Sequence, residues 1–200
     1  MKVWLLRHGE TLAPPELAIG WTDVELAAEG RRQAEVLGEQ LASRPLRRVY
    51  CSDLMRARET AELVARPHRL PTQATADLRE VDFGLWEGRR LADLWLENVE
   101  EARAWEQDMR RLPTSFGETF QSLEARVARF GKRLLNEPGE VLVVAHRGSL
   151  AILHGLLTGS PLESSWKLAL ERGSLVGVDR RYKKARRHPV RSALPAPDPG

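Results

Sequence analysis

Two histidines and two arginines stand where short apolar runs end or shortly after. The run Lys2 to Leu6 leads into Arg7-His8-Gly9-Glu10-Thr11, the run Arg48 to Cys51 leads into Ser52 and on to Arg56, and Glu140 to Ala145 leads into His146. A guanidinium presents a rigid fork of donors that matches phosphate or carboxylate oxygens, which suits Arg7 and Arg56 to an anion. A neutral imidazole held in one tautomer is a competent nucleophile toward phosphorus. A second imidazole can donate a hydrogen bond to oxygens on which charge develops. His8 and His146 are two of five histidines in the chain and can divide those roles. An alkoxide leaving group needs a proton as it departs, and Glu80 is the leading carboxylic acid for that step. Asp82, Glu87 and Glu10 lie close enough in sequence that composition alone leaves them open. A metal centre is the rival use of the same groups, since two histidines and two acids could bind one. There is no HxH or HExxH pattern, and arginines beside the histidines would repel a dication. The arginines can themselves supply the positive charge that phosphoryl transfer needs. The expectation is therefore a site with no metal.

These residues need a scaffold that brings distant segments together. Residues 2–6 and 140–145 read as strands covered on both faces, because their apolar runs do not alternate with polar residues. Residues 25–43 carry Ala34, Leu37 and Leu41 at helical steps and end at Arg44-Pro45. A short strand at 48–51 precedes a helix of about 54–65. A second long helix spans about 119–136, with Leu123, Val127, Phe130 and Leu134 on one face, and another covers about 149–157. A late strand is expected at 175–178. Strands alternating with helices predict an α/β fold: three layers, a mainly parallel central sheet, helices on both faces and a small helical cap. Ligands of such sheets bind beyond the carboxyl ends of the strands, where His8, Arg56 and His146 fall. The expected organisation is a single domain over 1–179 with a cap inserted at about 89–120, followed by a basic, flexible tail at 180–200.

Composition narrows the function classes. Apolar residues make up 42% of the 200-residue chain and charged residues 30%, which fits an ordinary globular domain. The net charge of +3 is unevenly placed. Residues 180–200 hold seven Lys and Arg against one Asp, so residues 1–179 are mildly acidic. That distribution, with 6% aromatic residues and no recognition motif, argues against a nucleic-acid partner. Cys51 is the sole cysteine, so neither an intrachain disulfide nor a zinc–cysteine cluster can form. The apolar run at residues 3–6 is too short for a signal peptide, and no run is long enough to cross a bilayer. A cytoplasmic location with no membrane partner is expected, and a homodimer is left open.

The segment Leu6-Arg7-His8-Gly9-Glu10-Thr11 resembles the first motif of the histidine phosphatase superfamily, also called phosphoglycerate-mutase-like. Cys51 through Ala61 (CSDLMRARETA) resembles the family's second arginine segment, Leu78-Arg79-Glu80 with Phe83 to Gly88 its acid segment, and Val143 to His146 its second-histidine strand. The resemblance implies that His8 is phosphorylated, that Arg7, Arg56 and His146 bind the phosphoryl group, and that Glu80 is the proton donor and acceptor, ranking it above its neighbours. It also implies a phosphomonoesterase that needs no metal and no cofactor and acts on a small phosphorylated metabolite. Two positions depart from the family pattern: Pro14 stands where many members have Asn, and Ala151 where many have Arg. Ser52 and Ser149 are candidate replacements, and Thr11 a candidate further contact. The middle and end of the chain, including Trp105, Gly117 to Gln121 and Gly159 to Trp166, resemble the branch that hydrolyses α-ribazole 5′-phosphate in cobalamin synthesis. Alternatives are a broad-specificity sugar or nucleoside phosphate phosphatase, a phosphoglycerate mutase and a non-catalytic phosphate-binding regulator. Trp95, Trp105 and Phe116 of the cap are candidates to stack on a flat base.

Overall fold

The structure, a computed structural model, describes residues 2–113, 115–168, 171–179 and 184–188. Six strands form one sheet in the order β3-β2-β4-β1-β5-β6. They are β1 (Lys2–Arg7), β2 (Leu46–Ser52), β3 (Thr72–Thr75), β4 (Glu140–Ala145), β5 (Leu175–Asp179) and β6 (Lys184–His188). The pairs β3·β2, β2·β4 and β4·β1 are parallel, whereas β5 runs antiparallel to both β1 and β6. The sheet is therefore mainly parallel, with an antiparallel flank.

Successive strand residues point to opposite faces, and both faces here are covered. Val3 and Leu5 of β1 join Val141 and Val143 of β4 in a core that includes Leu123, Val127, Phe130 and Leu134. Those four lie on α5 (Phe120–Leu134), and Leu150 and Leu153 of α6 (Arg147–Thr158) complete this layer. On the other face, Trp4, Leu6, Leu142 and Val144 meet Ala34, Leu37, Ala57 and Val64. These belong to α1 (Ala28–Leu41) and α2 (Met55–Ala65). The unbroken apolar runs of β1 and β4 thus follow from their central places in a three-layer α/β fold.

Three elements have no counterpart in the sequence-based expectation. Strand β3 reads TQAT and lies at the sheet edge, so it lacks the apolar run that marks a buried strand. Helix α7 (Leu162–Leu168) has only seven residues, too few to show a period. The strand Lys184–His188 lies within the segment expected as a tail, and the remainder of 180–200 lies outside the described residues. Residues 89–112 contain two short helices, α3 (Leu91–Glu97) and α4 (Val99–Gln107). Among the described residues, no helix is long and apolar enough to cross a membrane.

Candidate active site

Strands β1 and β4 lie side by side in parallel, with Arg7 paired to Ala145. Their carboxyl ends therefore release His8 and His146 next to one another, with ring centroids 5.1 Å apart. The backbone N–H of His8 still donates to Ala145 O at 3.1 Å, which extends the ladder to the site itself. His8 Nδ1 lies 2.8 Å from Gly9 O. A carbonyl only accepts, so Nδ1 carries the proton and Nε2 keeps its lone pair. Burial, followed by the charges of Arg56 and Arg7, holds the His8 imidazole well below its usual pKa. It is thus a neutral base with one defined tautomer.

His146 is fully buried, and neither ring nitrogen has a hydrogen-bond partner among the described residues. Burial and then Arg56 also depress its pKa. An orphaned buried imidazole is costly unless a ligand supplies its partner. Arg7 is pushed down to about 10, chiefly by burial and against the attraction of Glu80. Arg56, from the first turn of α2, is 1% exposed. Its Nη1 and Nη2 donate to Thr22 O at 3.0 Å and Gly20 O at 2.6 Å. These contacts aim the fork and leave donors over, since a guanidinium has five N–H groups.

The three acids near residue 80 separate clearly. Glu80 is 9% exposed, and its carboxylate accepts from Gly148 N at 3.1 Å, at the N-terminus of α6 next to His146. A side chain at Gly148 would strike it, because a Cβ there would lie 2.5 Å from Glu80 Oε1. Glu87 instead clips the loop that holds Arg56: its Oε1 accepts from Gly20 N and Trp21 N at 2.9 and 2.7 Å, and its Oε2 from the Thr22 hydroxyl at 2.7 Å. Asp82 accepts from Gly84 N at 2.9 Å and shapes a turn. Behind Glu80, Arg126 donates to Arg79 O at 2.6 Å and Glu80 O at 2.7 Å while paired with Glu118. Glu10 forms an ion pair with Arg172 at 2.7 Å.

The further candidates turn toward backbone. The Ser149 hydroxyl donates to Leu78 O at 3.1 Å, and its oxygen accepts from His146 N–H at 3.4 Å at the start of α6. Ser52 Oγ accepts from Leu54 N at 3.3 Å, and Thr11 donates weakly to Ala13 O at 3.4 Å. Pro14 is exposed and Ala151 fully buried. In the cap, Trp95 stacks on Trp105 at 5.8 Å, and Phe116 sits among Phe83, Trp86 and Trp105. Trp105 alone of the three lines a small gap of about 20 Å³ with Val81, Gly148, Ile152 and Trp166. Two cations escaped the sequence reading. Arg147 lies over the Trp166 ring at 4.5 Å, and Arg172 approaches from the loop before β5. Arg147 follows His146 directly and its position was readable; no sequence signal marks Arg172. Among the described residues, no three of His, Cys, Asp and Glu converge in a way that could hold a metal ion.

Comparison with known proteins fits this geometry. Residues 3–190 match the family model described as the histidine phosphatase superfamily (branch 1). An "Adenosylcobalamin/alpha-ribazole phosphatase" of Escherichia coli strain K12 is 38% identical over 188 residues, covering 92% of this chain and 93% of the relative. A Klebsiella pneumoniae relative named "Probable phosphoglycerate mutase GpmB" is 33% identical, covering 90% of this chain and 85% of its own. The crystal structure of an α-ribazole phosphatase from Shigella flexneri superposes with a TM-score of 0.81 at 37% identity, over 96% of each chain.

Proposed function

This chain belongs to the histidine phosphatase superfamily, and from that premise we propose that it hydrolyses α-ribazole 5′-phosphate, or a related cobamide phosphate, through a phosphohistidine at His8. The observation that carries the reading is the paired arrangement at the strand ends: a neutral His8 with Nδ1–H on Gly9 O, beside an unpartnered His146 and within the electrostatic reach of Arg56 and Arg7. In the first step Nε2 of His8 attacks phosphorus and the ester P–O bond breaks. Glu80 gives a proton to the departing alkoxide. In the second step the Glu80 carboxylate takes a proton from water, the hydroxide attacks phosphorus, and the P–N bond breaks to release phosphate and free His8. Arg7 and Arg56 hold the non-bridging oxygens, and His146 donates to the oxygen on which charge develops. The positive end of the α6 dipole lies on the same side. No metal or cofactor enters this scheme, and a cytoplasmic location belongs to it.

The substrate assignment draws on the names of the E. coli and S. flexneri relatives, and Trp105, which lines a common gap with Gly148, is the cap aromatic proposed to face a flat alcohol group. Phosphate release from the purified protein, with chelator present, tests it. The panel is α-ribazole 5′-phosphate, 3-phosphoglycerate, a nucleoside monophosphate and an aryl phosphate. A kcat/KM preference of at least about tenfold for the ribazole ester, roughly 1.4 kcal/mol of transition-state discrimination, is expected. Equal rates across the panel would replace the substrate with a broad set, and no release from any ester would overturn the phosphatase reading.

A further inference from the structure

The loop before β5 brings another cation to the same end of the sheet. Gly173 N–H donates to Arg7 O at 3.1 Å and His8 O at 2.9 Å, and Arg7 N–H donates to Ser174 O at 3.1 Å. Gly173 has φ of 71°, a left-handed conformation that glycine adopts without strain, so the chain can turn sharply onto these carbonyls. Residues 173–174 are thereby fastened to the backbone of the two residues at the heart of the site, and Arg172 is carried to its rim. Arg172 Nη1 donates to Glu10 Oε2 at 2.7 Å, and its side chain is only 14% exposed. Glu10 itself follows His8 by two positions, so the pair spans the ground next to the nucleophile. One carboxylate oxygen engages one of the five N–H groups of a guanidinium. The charge of Arg172 bears on Arg7, on His8 and on Arg56, which surround one region from different elements.

We infer that Arg172 is a third cation of the phosphate site, held in place by Glu10 and by the Gly173 anchor, and that it engages a non-bridging oxygen of the bound phosphoryl group alongside Arg7 and Arg56. The inference rests on the phosphatase reading. It differs from a purely structural latch, in which Arg172 and Glu10 only tie the loop to the first strand. A latch is weakened equally by changing either partner. A phosphate ligand is not: removing Arg172 takes away attraction for the anion, whereas removing the Glu10 charge takes away repulsion.

Binding of inorganic phosphate, measured by calorimetry and as competitive inhibition of aryl phosphate hydrolysis, separates the two. Arg172→Gln should weaken phosphate by about ten- to hundredfold, the range of one charge-assisted hydrogen bond. Arg172→Lys should recover part of that loss, and Glu10→Gln should bind phosphate as tightly as the parent or more so. Unchanged phosphate affinity in Arg172→Gln overturns the inference while leaving the phosphatase reading intact. Equal losses in Arg172→Gln, Arg172→Lys and Glu10→Gln, with matching drops in Tm, would mark a latch and also overturn it. A parent protein that neither binds phosphate nor hydrolyses esters would overturn both readings together.

Discussion

The two sides of the cleft are built by different means. On the phosphoryl side, backbone elements carry the groups: β1 and β4 deliver the histidines in register, the first turn of α2 carries Arg56, and the start of α6 binds Glu80 through Gly148 N. On the cap side, α3 and α4 are short, and their order comes from aromatic side chains. Trp95, Trp105, Phe116 and Trp86 form a cluster of ring contacts at centroid distances of 5.2 to 6.4 Å. Leu96 in α3, and Leu85 just ahead of the cap, remain 78% and 79% exposed. A sheet end is a rigid frame whose geometry changes little with side-chain replacement, whereas a cap held by side-chain contacts can be repacked. Under the proposed function, the chemistry belongs to the sheet end and the choice of alcohol to the cap.

Breaking each side separately should give different signatures. The larger effect is expected at Glu80. Glu80→Gln retains the shape and an acceptor for Gly148 N but removes the transferable proton, so turnover of alkyl phosphates should fall by about 10²- to 10⁴-fold. Esters with activated aryl leaving groups should fall much less, since they depart without protonation. Steady-state rates over a leaving-group series check this, and an equal loss across the series would assign the proton transfer elsewhere. A smaller effect is expected at Trp105. Trp105→Ala removes the aromatic wall that borders Gly148, and should cost about tenfold in kcat/KM for esters of flat aromatic alcohols, near the upper range for an aromatic contact. Inorganic phosphate affinity should stay within about twofold. Comparable losses for both would show that the cap also shapes the phosphoryl side and would blur the division.

How far this was legible in the sequence follows the same division. His8 and His146 could be placed because each follows an apolar run that both helical layers must cover, so strand and strand end were both marked. Glu80 could not be separated from Asp82 and Glu87 by residue type. What separates them is tertiary: Glu87 serves the loop at residues 20–22, Asp82 a turn, and Glu80 the start of α6. Arg172 was invisible for a related reason. Only the antiparallel return of β5 along β1 brings residue 173 to Arg7 and His8. The reading of Trp95 and Phe116 as base-stacking residues met a cap in which aromatic residues mostly contact each other. Aromatic type in a charged segment marks a buried face without saying whose face covers it.

The central claim is a covalent intermediate on His8. It is tested most directly by rapid quenching into alkaline denaturant during turnover of an aryl phosphate at about pH 5.5, followed by peptide mass spectrometry. An ordinary imidazole, with a pKa of about 6.5, would be mostly protonated there. Burial together with Arg56 and Arg7 lowers the pKa of His8, so its protonation should set in only at more acidic pH and the nucleophile should remain available. The account predicts one phosphoryl group on the peptide that contains His8, and neither label nor turnover in His8→Ala. Turnover with no phosphorylated peptide, label on another residue, or undiminished activity in His8→Ala would contradict it.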